Sequence, residues 1–237
     1  MERLKAWLQD TNKQRFLDIG TGTGEFLKLL AHLYDGYDSM VGIDRLERFV
    51  AIASERNDNP RISYEHMDGN DMSYEDDSFD VVTLSNSLHH LENIQVTLSE
   101  MARVTKKDGF IMINEMIRDN LSPAQVSHKL MHHFAAKIDR LNKEFHDETF
   151  SKETILSTLT KDTDLVVEEA WELAVPTNQT TQEQLDFLDS LLDKLVARAP
   201  EEFQSDLQEE ASEIQAYIHA NGYDGCTSLL VVLRKTA

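Results

Sequence analysis

The chain has 237 residues, 41% of them hydrophobic, and carries 43 Asp and Glu against 23 Lys and Arg, a net charge of −20. That is enough apolar material for one α/β domain with an extension. A surface this acidic disfavours a nucleic-acid binder or a protein of anionic membranes, because both partners demand a basic face. The sole cysteine, Cys226, cannot form an internal disulfide, and the first ten residues are too charged for a secretory signal. No apolar run approaches the roughly 20 residues that span a bilayer. A cytoplasmic, soluble protein is expected.

Leu4, Trp7 and Leu8 have helical spacing and predict a short covering helix over residues 2–10. Phe16, Leu17 and Ile19 then form a buried strand, followed by Gly20-Thr21-Gly22-Thr23-Gly24 and a helix running to about Leu33. Three glycines at alternate positions strip the turn of Cβ atoms, and the helix directs its free N–H groups to the same place. A dinucleotide turn wants G-x-G-x-x-G and a P-loop wants Gly-Lys-Ser/Thr; neither is present. Asp18 precedes the turn, which suits a ligand with a cationic amino group better than a pyrophosphate.

A second strand over 39–44 ends in Asp44, 24 residues after Gly20. Ligands of open parallel sheets bind beyond the carboxyl ends of the strands. A carboxylate there accepts from ribose hydroxyls, of a nicotinamide dinucleotide or of S-adenosylmethionine alike. Asp44 is equally placed to cap the next helix, and Arg45 to lie along an adenine face. A third strand over 61–66 leads to Asp68-Gly69. The acidic loop Asp76-Asp77-Ser78 enters a fourth strand, 79–85, ending at Ser85-Asn86-Ser87-Leu88-His89-His90. A helix to Val104, a turn at 106–109 and a fifth strand, Phe110–Glu115, follow.

Asp-Ile-Gly-Thr-Gly-Thr-Gly, the acids at 44 and 68, Phe79-Asp80 before the fourth strand, and the helix–turn–strand from Leu98 to Phe110 resemble, in order, the motifs of class I S-adenosylmethionine-dependent methyltransferases. The similarity covers residues ~10–118 and is closest to the small-molecule branch that includes ubiquinone- and menaquinone-type and "type 11" enzymes. Lys107-Asp108 and Phe110 stand where that family usually has Pro and a second Gly. The Asn-Pro-Pro-Tyr type of motif of amide and adenine N-methyltransferases is missing. The resemblance implies a three-layer α/β/α sandwich with a mostly parallel seven-stranded sheet, whose last strand inserts antiparallel between the fifth and sixth. It implies S-adenosylmethionine as cofactor, held by Asp18, Gly20, Thr21, Gly22 and Gly24 at its methionine end, Asp44 and Arg45 at the ribose and adenine, and Asp68 and Gly69 at the adenine. Ser85 would lie beside the reacting methyl.

Beyond Glu115 the resemblance fades. Ser122-Pro123 starts a helix over 123–146 with an apolar stripe of Val126, Leu130, Phe134, Ile138, Leu141 and Phe145. His128 and His132 lie four apart, a metal-ligand spacing that Glu115, His89 or His146 could complete. The favoured expectation is no bound metal and instead a proton-accepting or substrate-orienting role, shared among His89, His90, His128, His132 and Glu115. A helix begins near 150, a sixth strand spans 164–173, and two helices split at Pro200 fill 180–220, with ten acids against Lys194 and Arg198. A last apolar strand spans 226–234. One domain over 1–237 is expected, with helical insertions near 120–150 and 178–222 forming a lid or a homodimer arm. The acceptor is expected to be a small molecule. An NAD-dependent oxidoreductase is disfavoured by the glycine spacing and the lack of a Tyr-x-x-x-Lys pair; a non-catalytic cofactor-binding protein is the other alternative.

Overall fold

The computed structural model describes residues 1–11, 13–161, 163–174 and 180–235. The strands β1 (Arg15–Ile19), β2 (Ser39–Asp44), β3 (Ile62–His66), β4 (Phe79–Ser85), β5 (Thr105–Met116), β6 (Leu165–Leu173) and β7 (Ser228–Lys235) form one sheet in the order β3-β2-β1-β4-β5-β7-β6. β7 runs antiparallel to both its neighbours and the other pairings are parallel. The central strands are apolar on both faces, as a sheet covered by helices on each side requires.

Those covers are unequal in origin. On one face Phe16, Met40, Val81, Met112 and Val232 pack under Leu4 and Leu8 of α1 (Glu2–Thr11) and Leu27 and Leu30 of α2 (Glu25–Leu33). On the other, Leu17, Ile19, Val82, Leu84 and Ile113 pack under α4 (Ile94–Val104) and α6 (Lys152–Thr160), through Leu98, Met101, Val104, Ile155 and Leu159. α3 (Glu47–Glu55) lies against β2 and β3. The fold is therefore the expected α/β/α sandwich.

The two helical insertions meet each other. Met131, Phe134 and Ile138 of α5 (Pro123–Leu141) share a core with Leu188, Leu192 and Leu195 of α7 (Gln182–Arg198) and Leu207, Ala211, Ile214 and Ile218 of α8 (Glu201–Asn221). Ser122 and Gln125 form a reciprocal capping box at the start of α5, and Thr181 and Gln184 do the same for α7. The expected insertion from 178 begins at residues outside those described, and its described part starts at Thr180.

Two elements differ from expectation. The turn expected at 106–109 is the beginning of β5: β-branched Thr105 takes an extended backbone, pairs with Phe79, and returns its hydroxyl to Met101 O at 2.6 Å. The helix expected to reach 146 stops at Leu141. Asn142 caps it, and Lys143 enters the left-handed region at φ 65° while its N–H bonds Arg140 O. Phe145 is consequently 40% exposed instead of extending the stripe. The reversal brings His146 back against α5.

Candidate active site

A cavity of about 600 Å³ opens where β1, β2, β3 and β4 end. Asp18, Gly20, Thr21, Gly22, Asp44, Arg45, Asp68, Gly69 and Ser85 all line it. The parallel register explains the meeting of the acids: Asp18 pairs with Gly42, and Asp44 pairs with His66, two residues before Asp68.

Asp44 is almost buried, and its two oxygens accept from the N–H groups of Gly22 and Leu46 at 2.9 and 2.8 Å. The capping and ligand-holding geometries thus coexist, since each carboxylate oxygen keeps a further lone pair. Asp18 is wholly buried and accepts from Thr83 Oγ1 at 2.6 Å. Burial raises its pKa to about 6, the Thr83 hydroxyl opposes that, and Asp44 adds to it. Asp68 holds its own turn by accepting from Asn70 N at 2.9 Å through Oδ1.

The glycines divide their tasks. Gly22 sits at φ 53° with open space where a Cβ would point, so its bare backbone faces the cavity. Gly24, at φ 83°, is outside the cavity lining; a Cβ there would collide with the Tyr64 hydroxyl. Its place in the expected cofactor set is thus not at the cavity wall, and packing against β3 accounts for its missing side chain. Met67, Phe49, Asn86, Ser87, Leu91 and Thr97 complete much of the wall. Asn86 adopts φ 47°, and its N–H bonds Asn114 O at 2.7 Å. The polar loop after β4 pointed to this corner, but no periodicity marked the apolar contributors.

Of the five expected catalytic residues, only His90 lines the cavity. The single 3₁₀ turn Leu88–His90 sends the neighbouring His89 inward, 1% exposed, where its Nδ1 lies 2.7 Å from Glu115 Oε1. Glu115 is fully buried, and its other oxygen accepts from Leu88 N at 2.9 Å. His128 points elsewhere and accepts from Cys226 N at 2.8 Å through Nδ1. His132 lies against His89, not beside His128, with Nε2 atoms 3.1 Å apart. His89, Glu115, His128 and His132 therefore stand away from the cavity: the first two are turned into the core, and the α5 pair is divided between two neighbours.

Residues 17–113 match the family model described as a methyltransferase domain. Over that segment, less than half of the chain, the protein is similar to a methyltransferase domain. Curated relatives include demethylmenaquinone methyltransferases of Bacteroides fragilis, 29% identical over 121 residues, and of Shouchella clausii, 30% identical over 125 residues. The alignments cover 49% of this chain and 49% of the first relative, and 48% and 53% for the second. The chain thus spans about half the length of the curated relatives it matches.

Solved structures share the whole architecture at lower identity. An S-adenosylmethionine-dependent methyltransferase from Mesorhizobium loti has a TM-score of 0.58 at 20% identity, over 99% of this chain and 96% of that one. A [4+2]-cyclase has a TM-score of 0.62 at 17% identity, over 100% of this chain and 82% of its own. Such likeness speaks for the fold; a cyclase among the neighbours illustrates that the chemistry must be argued from the site.

Proposed function

We propose that this chain transfers the methyl group of S-adenosylmethionine to a small organic acceptor. The observation that carries the reading is the convergence of Asp18, Asp44 and Asp68 on one cavity around the bare backbone of Gly22. That donor set fits the cofactor: a buried carboxylate for its ammonium, a strand-end carboxylate for its diol, and the free Oδ2 of Asp68 for its adenine amine. When bound, the cofactor supplies an electrophilic methyl on a sulfonium.

The chain's residues then act by position. Asp44 fixes the ribose while its own orientation is locked by two backbone amides. Gly22 allows the ligand to lie against the turn, and Asp18 sets the methionine end. Ser85, Asn86, Ser87 and His90 form the wall on which an acceptor would approach. Holding two reactants in line contributes more than any single group to a reaction whose leaving group is already activated. His90 is the histidine placed to take a proton from a hydroxyl or amine acceptor.

Acceptor choice lies with α5, α7 and α8, which follow residue 113 and fall outside the matched domain. We therefore read the three-helix core as an acceptor-side lid on a single domain, and do not extend the quinone acceptor of the relatives to this chain. The net charge of −20 favours a neutral or cationic small acceptor over nucleic acid, and the single cysteine suits the cytoplasm. Among the described residues no helix is long and apolar enough to cross a membrane.

Calorimetric titration with S-adenosylmethionine, its demethylated product and NAD tests the reading. Binding of the first two with no heat from NAD is expected; NAD binding alone would overturn it. Labelled-methyl transfer in a pool of small metabolites then distinguishes an enzyme from a binding protein.

A further inference from the structure

Behind the cavity wall, three histidines from separate segments point the same ring atom at one spot. His89 comes from the 3₁₀ turn after β4, His132 from the middle of α5, and His146 from the returning loop. His132 Nε2 lies 3.1 Å from His89 Nε2 and 3.4 Å from His146 Nε2. His89 and His146 are nearly fully buried and His132 partly so.

The tautomers are set from behind. His89 Nδ1 faces Glu115 at 2.7 Å, and His146 Nδ1 faces Asp139 Oδ2 at 2.7 Å. A carboxylate behind each ring keeps the proton on Nδ1, which leaves both Nε2 atoms as lone pairs. His132 can offer one Nε2 proton to two acceptors, so hydrogen bonding satisfies one of them and leaves the other's lone pair without a donor. Placing more protons on the trio would crowd positive charge into a buried site. One cation satisfies all three nitrogens together.

The two separations from His132 fit an ion, and all three ligand nitrogens lie within 4.8 Å of one another. Ligand nitrogens of a tetrahedral zinc ion at 2.0–2.1 Å stand about 3.3–3.4 Å apart. Carboxylates behind ligating imidazoles are the usual orienting partners of such sites. Here they come from β5 and α5, and Arg198 of α7 in turn holds the other oxygen of Asp139 at 2.6 Å.

We propose that His89, His132 and His146 bind one divalent transition-metal ion of the zinc class through their Nε2 atoms. Three protein ligands leave one position for water. The ion ties α5 and the 142–149 loop to the turn that carries His90, whose ring packs 4.0 Å from that of His146 and 4.4 Å from that of His89. This site departs from the sequence expectation of no metal, and it takes His132 without the His128 that a four-residue spacing had offered as its partner. It does not depend on the reading of the cavity.

The test uses full-length protein without a histidine tag, stripped with a chelator and dialysed against zinc or cobalt(II) chloride. Elemental analysis should find one ion per chain, cobalt should give the intense visible bands of a four-coordinate site, and zinc should raise the Tm. His132→Gln and His146→Gln should each lose that ion, whereas His128→Gln, one turn along α5, should keep it. Asp139→Asn, at a partly exposed position, guards against misfolding of the ligand variants and should weaken affinity about 10–100-fold with the ion still bound at higher concentration. Substoichiometric metal in the wild-type chain, or an unchanged ion in folded His132→Gln and His146→Gln, would overturn the proposal.

Discussion

The cavity and the histidine cluster are neighbours built in opposite ways. Asp18, Asp44 and Asp68 stand at the ends of adjacent parallel strands. Asp44 and Asp68 are each gripped by an amide two residues ahead, at Leu46 and Asn70. The strand register alone brings them together. His89, His132 and His146 share no element, and each of the first and last is steered by a carboxylate seven or more residues away. Backbone geometry makes the first site; tertiary packing of the helical insertions makes the second.

The largest expected effect on stability probes whether these two halves are separate cooperative units. Leu192, 2% exposed, sits in the core shared by α5, α7 and α8. Leu192→Ala should cost about 2–5 kcal/mol through lost burial and the cavity left behind. Hydrogen exchange should quicken in α5, α7 and α8 while β1, β2 and β4 stay protected. Equal loss of protection throughout would mean that the halves unfold as one, differing in construction but not in stability.

Asp44→Ala comes next and addresses the cavity. Two charge-assisted hydrogen bonds to a ribose would disappear, each contributing about 1.5–3 kcal/mol, so cofactor affinity should fall by roughly 10²–10⁴-fold in calorimetry. The N–H groups of Gly22 and Leu46 also lose their acceptor, so circular dichroism must accompany the titration. Unchanged affinity in a folded variant would place the ribose elsewhere.

What was readable follows the same division. The glycine turn and the strand-end acids were legible because each is encoded within a short motif or a two-residue period, whereas the antiparallel insertion of β7 followed only from the family resemblance. Period also gave the α5 stripe as far as Leu141, but not its end: Asn142 and Lys143 carry no strong stop, and the positive φ of Lys143 is imposed by the turn it makes. The role of His146 depends on that reversal. The same limit applies to His128 and His132. A four-residue spacing places two side chains on one side of a helix, yet α8's C-terminal loop claims the first through Cys226 and the β4 turn claims the second. Side-chain partners separated by 43 or 98 residues are not written in a local pattern.

Gly22 and Gly24 offer a paired comparison within one turn. Gly24→Ala drives a methyl into the Tyr64 hydroxyl and should lower stability by about 1–3 kcal/mol beyond the left-handed strain that both positions share, with cofactor affinity of the folded fraction little changed. Gly22→Ala meets no protein atom, so its stability cost is confined to about 1–2 kcal/mol of left-handed strain. Its added methyl occupies the ligand's side of the turn and should weaken binding. Thermal denaturation and calorimetry on both variants read the two quantities separately. Identical profiles would erase the distinction between a packing glycine and a ligand-facing one.

The smallest effect concerns Asp18, and two measurements should move in opposite directions. Burial lifts its carboxyl from the ordinary 3.8 to about 6 in the free protein. The folded chain therefore holds this proton more tightly than the unfolded one. The contribution of Asp18 to stability is most favourable below 3.8, declines as pH rises towards 6, and levels off above it. Cofactor binding needs the ionised form to meet an ammonium, so apparent affinity should be flat above about 6 and fall by up to about tenfold per pH unit below it. Asp18→Asn removes both dependences, leaving weak binding that does not change between pH 5 and 7. If affinity instead stays constant through that range in the wild-type chain, Asp18 carries no charge contact with the ligand. Its buried carboxyl would then serve only to bridge β1 to Thr83 on β4.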